Sequence, residues 1–438
     1  MMNVEALRAK NKSILPKDIL ISVFLFVTFA FCKAGAVIKG APVTVSTVLC
    51  AAVVLCMLRE LLRYVRVHMG ISIYYFLYVL FVLSNTALHI GQLSVKDYLF
   101  PLVVAASPLM YVIGMNIEYD RCLKILCVSG IIVGLYSVIQ WLFGLTQTTI
   151  PGITLALGDA WANKPIGYGF TVLHESTKMP STAQNGNNIA LLSVLGIGAL
   201  LCWTPQKKWF LAKWVSIGLY VVALVLSGSR SATYPFATLL PVGMYGCWKQ
   251  YKDTDKKCKR ALMLTILITV VFTVLLLQIP QLTTNYGRPD LQDTDILSFF
   301  QSPTESSRLI QEVGSMSGRT DAWRNMIQRI GNEYRFCDRL RLIIVGAPDA
   351  DMMMGGEGLP LFITQYGVIS AILFMGFFIP LLKIFTVDPI FVWSGLSFAG
   401  ALVVDSSYNY PPVLIWFFIL QGIMIAKNCS VNVSNMNL

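Results

Sequence analysis

Roughly twelve apolar runs, each long enough or nearly so to cross about 30 Å of hydrocarbon as a helix, follow one another along the chain. Segments of that kind must end up in a core or in a bilayer. Of the 438 residues, 55% are hydrophobic and 13% charged, too few polar side chains to clothe so many buried helices in water. The pattern predicts an all-α, polytopic integral membrane protein. Expected spans lie near residues 18–38, 42–62, 71–91, 97–117 and 122–145, then 187–203, 212–228, 231–248 and 261–279, and finally 358–382, 387–405 and 410–427. Residues 1–279 thus carry nine helices with a polar segment at 146–186, residues 280–357 form one long polar loop, and residues 358–438 carry the last three helices.

The net charge of +11 would suit a nucleic-acid binder, but its distribution excludes that class. With both termini placed in the cytoplasm, the inner segments collect twenty Lys and Arg, among them Lys10, Arg59, Arg63, Arg66, Lys124, Lys213, Lys256 and Lys427. Outside, apart from the long loop, only Lys33, Lys39, Lys96, Lys164, Lys178 and Arg230 remain. Short basic loops stay on the cytoplasmic side, so both polar segments are expected to face outward, into the periplasm of a bacterium whose inner membrane holds the chain. The basic N-terminus lacks a small-residue cleavage site and reads as the approach to an uncleaved first span. Ten scattered cysteines show neither a disulfide framework nor a paired zinc motif.

The loop from Gln281 to Gly355 contains eight arginines and no lysine. A guanidinium grips phosphate or carboxylate through two parallel hydrogen bonds, whereas lysine offers a point charge, so the preference points to an anionic ligand. Equally, these arginines can be surface residues balanced by the loop's ten acids. Six of them nevertheless fall between Arg319 and Arg341, against only Asp321, Glu333 and Asp338. Trp323, Ile327, Ile330 and Tyr334 recur at helical spacing and predict an amphipathic helix over Thr320 to Ile344, with Ser317 or Thr320 as N-cap. Pro101, Pro108, Pro235, Pro241 and Pro380 fall within spans, where kinked helices often surround a cavity.

A lone arginine also interrupts two apolar runs at the expected outer boundary, in Leu226-Ser227-Gly228-Ser229-Arg230-Ser231-Ala232. Such an arginine either snorkels to the interface or meets an anion, and the small neighbours leave room for a phosphate. This stretch resembles the arginine motif that opens a helix in the O-antigen polymerase and O-antigen ligase superfamily. Ser317-Gly318-Arg319 with Trp323 resembles the second arginine motif of that superfamily, in its large periplasmic loop. Residues 179 to 190, MPSTAQNGNNIA, are similar to its proline-and-asparagine approach to a mid-chain span, and Leu359 to Phe374, with Gln365-Tyr366-Gly367, resembles the helix after the loop.

The resemblance implies a GT-C-like glycosyltransferase bundle that takes a glycan from undecaprenyl pyrophosphate to a sugar hydroxyl, needing no cofactor or metal. It implies a lipid-linked oligosaccharide, membrane lipid and a chain-length regulator protein as partners, and no nucleic acid. Arg230 and Arg319 become the expected diphosphate clamps, because fixed guanidinium groups at reduced dielectric stabilise charge growing on the leaving oxygen. The superfamily's ligases carry a histidine late in the loop; here Gly355-Gly356-Glu357-Gly358 stands instead, which favours polymerase and makes Glu357 a candidate base or acceptor-positioning group. Glu357 also fits a plain helix-start carboxylate. Ser229, Asn185, Asn188, Arg324, His174, Asp405 and Tyr408 complete the expected substrate-binding set. His174 fits a surface residue as well, and Asp405 and Tyr408 fit either a sugar vestibule or an interfacial belt. Asp293 with Asp295, and Asp349 with Asp351, have metal-binding spacing, but Asp253 with Asp255 repeats it in a lysine-rich inner loop. The competing readings are an O-antigen ligase acting on lipid A-core and a lipid-oligosaccharide flippase or transporter. Spans nearly free of charge disfavour the last.

Overall fold

Helices make up nearly all the regular structure. A computed structural model describes residues 16–38, 41–88, 95–143, 148–158, 179–183, 185–251, 324, 327–328, 330–332, 335–346, 358–385, 388–405 and 407–436. In chain order the helices are α1 (Pro16–Ala30), α2 (Val45–Cys56), α3 (Leu58–Val67), α4 (Met69–Leu88), α5 (Val95–Ala106), α6 (Leu109–Met115) and α7 (Tyr119–Phe143). After the polar segment come α8 (Gly186–Leu201), α9 (Lys207–Leu226), α10 (Arg230–Thr238) and α11 (Leu240–Tyr251). Then follow α12 (Phe336–Val345), α13 (Gly358–Gly376), α14 (Ile379–Ile384), α15 (Pro389–Val404) and α16 (Pro411–Met436).

Six stretches among the described residues are long and apolar enough to cross a membrane, seven if the bent pair α2 and α3 is one span. The protein is therefore an all-α polytopic membrane protein. Shorter apolar helices, α8 and α15, stand where spans six and eleven are expected, and the expected ninth span at 261–279 lies outside the described residues. Helices α8 and α16 are central. Every residue of α8 but Asn187 is buried, as are residues 412–424 of α16. A helix apolar on all sides must be surrounded. By contrast, only 17% of the spanning window of α4 is buried, so α4 faces outward.

Several expected spans are broken, each for a local reason. The first ends at Ala30, and Gly35–Ile38 pairs antiparallel with Ala41–Thr44 as a β-hairpin rich in β-branched residues. That hairpin also bonds to the polar segment, Val37 N–H donating to the Leu157 carbonyl at 2.7 Å. The second bends by 61° between α2 and α3, because Arg59, Glu60, Arg63 and Arg66 cannot enter hydrocarbon. The eighth divides at Leu239, two residues before Pro241, which has no N–H to continue the ladder; in α10 the Pro235 carbonyl accepts from Thr238 Oγ1 at 3.1 Å and Ser397 Oγ at 3.4 Å. The expected amphipathic helix over 320–344 is interrupted at Arg335, which is extended (φ −68, ψ 160), and α12 begins just beyond it. Asp338 in the first turn favours that new N-terminus.

A further break lies inside α13. Gly367 adopts φ +84, ψ 162, and α12 lies across the gap so closely that a Cβ there would sit 2.0 Å from the Ile344 carbonyl oxygen. The unwound Gln365 carbonyl accepts from Asn85 Nδ2 of α4 at 3.0 Å. A neighbouring side chain thereby meets the hydrogen-bonding need that a broken span creates.

Ion pairs among the described residues gather at one end of the bundle. Arg121 reaches Asp18 and Glu118 at 3.3 Å each, Lys427 reaches Asp388 at 3.3 Å, and Lys17–Glu60 and Lys124–Asp120 complete the group. Lys213, 3% exposed, donates to the Trp203 carbonyl at 2.6 Å, at the C-terminal end of α8 where a cation is favoured.

Candidate functional site

At the opposite end of α8, α9 and α15, three polar segments meet around Asp405: the start of α8, the start of α10 and the turn after α15. This residue follows the last turn of α15, is 4% exposed and has extended backbone (φ −135, ψ 138). Its Oδ2 accepts from Asn187 Nδ2 and from Ser231 Oγ at 3.3 Å. Its Oδ1 accepts from the Ser407 N–H at 2.9 Å and from Ser407 Oγ. Four donors thus hold one buried carboxylate, as burial of a charge demands. The arrangement ties the start of α8 and the start of α10 to the end of α15.

Local sequence explains how each segment arrives. Asn185 is the N-cap of α8, its side chain accepting from the Asn187 N–H at 2.8 Å, and this leaves the Asn187 side chain directed to Asp405. Gly228 adopts φ +57, a conformation that glycine takes without the Cβ penalty, and this reverses the chain between α9 and α10 in three residues. Ser229 then stands at the N-cap of α10 without a side-chain bond to the helix amides, its Oγ 3.1 Å from Ser231 Oγ. Arg230 is the first residue of α10, and the structure describes its backbone only. Both flanking serines are buried, so this residue opens the helix against Asp405. The first-turn amides and dipole of α10 give the spot a positive field.

A second strut joins the hub to the kink in α13. Tyr408, 1% exposed in the turn Ser407–Asn409, donates its hydroxyl to Gln365 Oε1 at 3.0 Å, and its ring meets Phe362 edge-on at 5.0 Å. Tyr410 carries the Lys33 ammonium 4.9 Å above its ring. Where α13 begins, a Cβ on Gly358 would lie 2.2 Å from the Val403 carbonyl oxygen, so that helix starts against the residues just before Asp405. The segment ahead of α8 is anchored to the same end. Ser181, at φ +48, exchanges bonds with Gln140, its N–H donating to Oε1 at 2.7 Å, and the Met179 N–H donates to the Leu226 carbonyl at 2.9 Å.

Of the expected site residues, Asn185, Asn188, Ser229, Asp405, Tyr408 and the backbone of Arg230 belong to this one end. Asn185 is exposed, Asn188 is buried, and Tyr408 is packed inside the bundle instead of forming an exposed belt. Arg324 is helical and exposed. Arg319, Glu357 and His174 lie outside the described residues, as do Trp323 and the aspartate pairs at 293–295 and 349–351. Asn187, Ser231, Gln365 and Ser407 were not among the expected site residues, although the first three stand inside the quoted motifs and Ser407 stands beside Asp405. Short polar residues beside a motif are common, and only their meeting with Asp405 or Tyr408 sets them apart. No family model matches the chain, and no curated protein is significantly similar to it.

Proposed function

We infer that the protein is a surface-polysaccharide polymerase of the O-antigen type. It would transfer an undecaprenyl-pyrophosphate-linked glycan onto a hydroxyl of another lipid-linked repeat unit, at the face of a bacterial inner membrane opposite the basic loops. The observation that carries this reading is the Asp405 hub, which gathers the asparagine segment, the Ser229–Ser231 segment that carries Arg230, and the turn that braces Gln365 at one end of the bundle. Three of the four stretches that resemble the superfamily are thereby neighbours. On this reading the full chain has twelve spans in a GT-C-like bundle, with both termini cytoplasmic.

The chemistry follows from charge. As the glycosidic bond breaks, negative charge grows on the bridging oxygen of the diphosphate. Arg230, at a helix N-terminus, and Arg319 would stabilise it more in the transition state than in the bound substrate. Glu357, preceding the start of α13, would take the proton from the attacking hydroxyl. Buried Ser229 and Ser231, with Asn185 and Asn187, would fix the first-turn geometry, and Asp405 would hold Asn187 and Ser231 without contacting the reacting atoms.

A deletion strain tests the reaction class. Lipopolysaccharide core bearing a single repeat unit, with the ladder lost, is the expected result, whereas loss of the single-unit band as well means ligation or flipping. For the site, Arg230→Lys at normal protein level is expected to lower polymer formation by about 10²–10³-fold, the cost of losing one preorganised donor. A full ladder from Arg230→Lys would show that two-pronged binding is not needed at this position.

A further inference from the structure

Well away from the Asp405 hub, near the end where the ion pairs gather, a groove of about 630 Å³ opens between α3, α4, α6, α14 and α16. That volume is within the range of about 300–1,000 Å³ of small-ligand pockets. We propose that it is a binding site for an anionic glycerophospholipid of the adjoining leaflet, which lays an acyl chain along the groove and sets its phosphate at Lys383.

Three observations carry this. The walls are mainly apolar, and three of their polar side chains are bonded to backbone carbonyls. Tyr74 donates to the Leu373 carbonyl, Tyr75 to the Ala105 carbonyl at 3.0 Å, and Gln421 Nε2 to the Phe377 carbonyl at 3.0 Å. Among the described residues that line the groove, Lys383 is the one charged side chain, and no carboxylate lines it. It is exposed. Finally, α3 forms one wall with Leu61, Tyr64 and Val65, while exposed Arg59, Arg63 and Arg66 run along its opposite face at helical spacing. A helix with opposed apolar and basic faces lies in the interface with its arginines at headgroup level, which sets the groove just beneath the headgroups. Basic pockets between membrane helices bind anionic headgroups on this principle.

The test uses the full chain, purified in detergent and exchanged into nanodiscs of phosphatidylglycerol mixed with phosphatidylcholine, with retained lipid identified by native mass spectrometry. Wild-type protein is expected to keep phosphatidylglycerol. Lys383→Gln is expected to lower its retention about fivefold, as for one basic group beside an anionic lipid. Gly70, which lines the groove and has open space where a Cβ would go, provides a second variant that need not disturb packing. Gly70→Trp is expected to reduce retention while leaving the size-exclusion profile unchanged. Equal retention of the two lipids, or retention unaffected by both variants, overturns the proposal. So does a retained polyprenyl species, or a cross-link from the groove to residues 261–279, either of which would show a different occupant.

Discussion

At the scale of single residues, Asp405 is where the fold is most exposed to a small change. Asp405→Asn keeps the shape but replaces one acceptor oxygen by an amide donor facing the Asn187 and Ser231 donors, or the Ser407 pair. Leaving such buried donors unpaired costs about 1–3 kcal/mol. A lowered thermal unfolding midpoint in detergent is the expected outcome, together with a shortened or absent ladder. A wild-type midpoint for this variant would mean that the carboxylate does not hold the hub together. Ser231→Ala, which removes one of four donors, is expected to cost about 1 kcal/mol. Arg230 was legible as a singular residue because it interrupts apolar sequence. Asn187 was not, because its role depends on a partner 218 residues away.

Among the elements, α13 and α12 act as a pair. Gly367 is needed twice over, for its φ of +84 and for the 2.0 Å approach of the Ile344 carbonyl to where a Cβ would be. Gly367→Ala is expected to destabilise by more than about 1 kcal/mol, through a positive φ that alanine resists and through displacement of α12. Limited proteolysis should then cut near residues 335–346 sooner than in the wild type. Gly331→Ala is the control. Gly331 is helical with open space around it, so gaining a Cβ should leave stability unchanged or raise it by up to about 1 kcal/mol. Comparable proteolysis of the two variants would show that α12 does not depend on the kink. Hydropathy predicted the apolar stretch over 358–382 but not its break, since glycine occurs in straight and broken membrane helices alike. The amphipathic pattern over 320–344 likewise did not reveal the extended Arg335, because side-chain periodicity can continue across a short interruption.

For the whole molecule, the polarity of the bundle is the testable property. Exposed Cys337, in the second residue of α12, is expected on the outer face, opposite the lysine-rich loops. A membrane-impermeant maleimide applied to spheroplasts should label the wild type at this residue, and Cys337→Ser should lose that label. Labelling of Cys337 only after lysis would invert the orientation. The sequence by itself determined that the chain lives in a membrane as a set of helices, which end carries the basic loops, and that Arg230 sits at an apolar boundary. Those properties are sums over neighbouring residues, and hydrophobicity and charge act on them locally. Tertiary structure alone decided that Asn187 and Ser231 reach the carboxylate that Ser407 bonds locally, and that Tyr408 braces a kinked helix. Contacts spanning 43 to 218 residues follow from how helices pack, and a buried charge selects its donors from whatever that packing brings within reach.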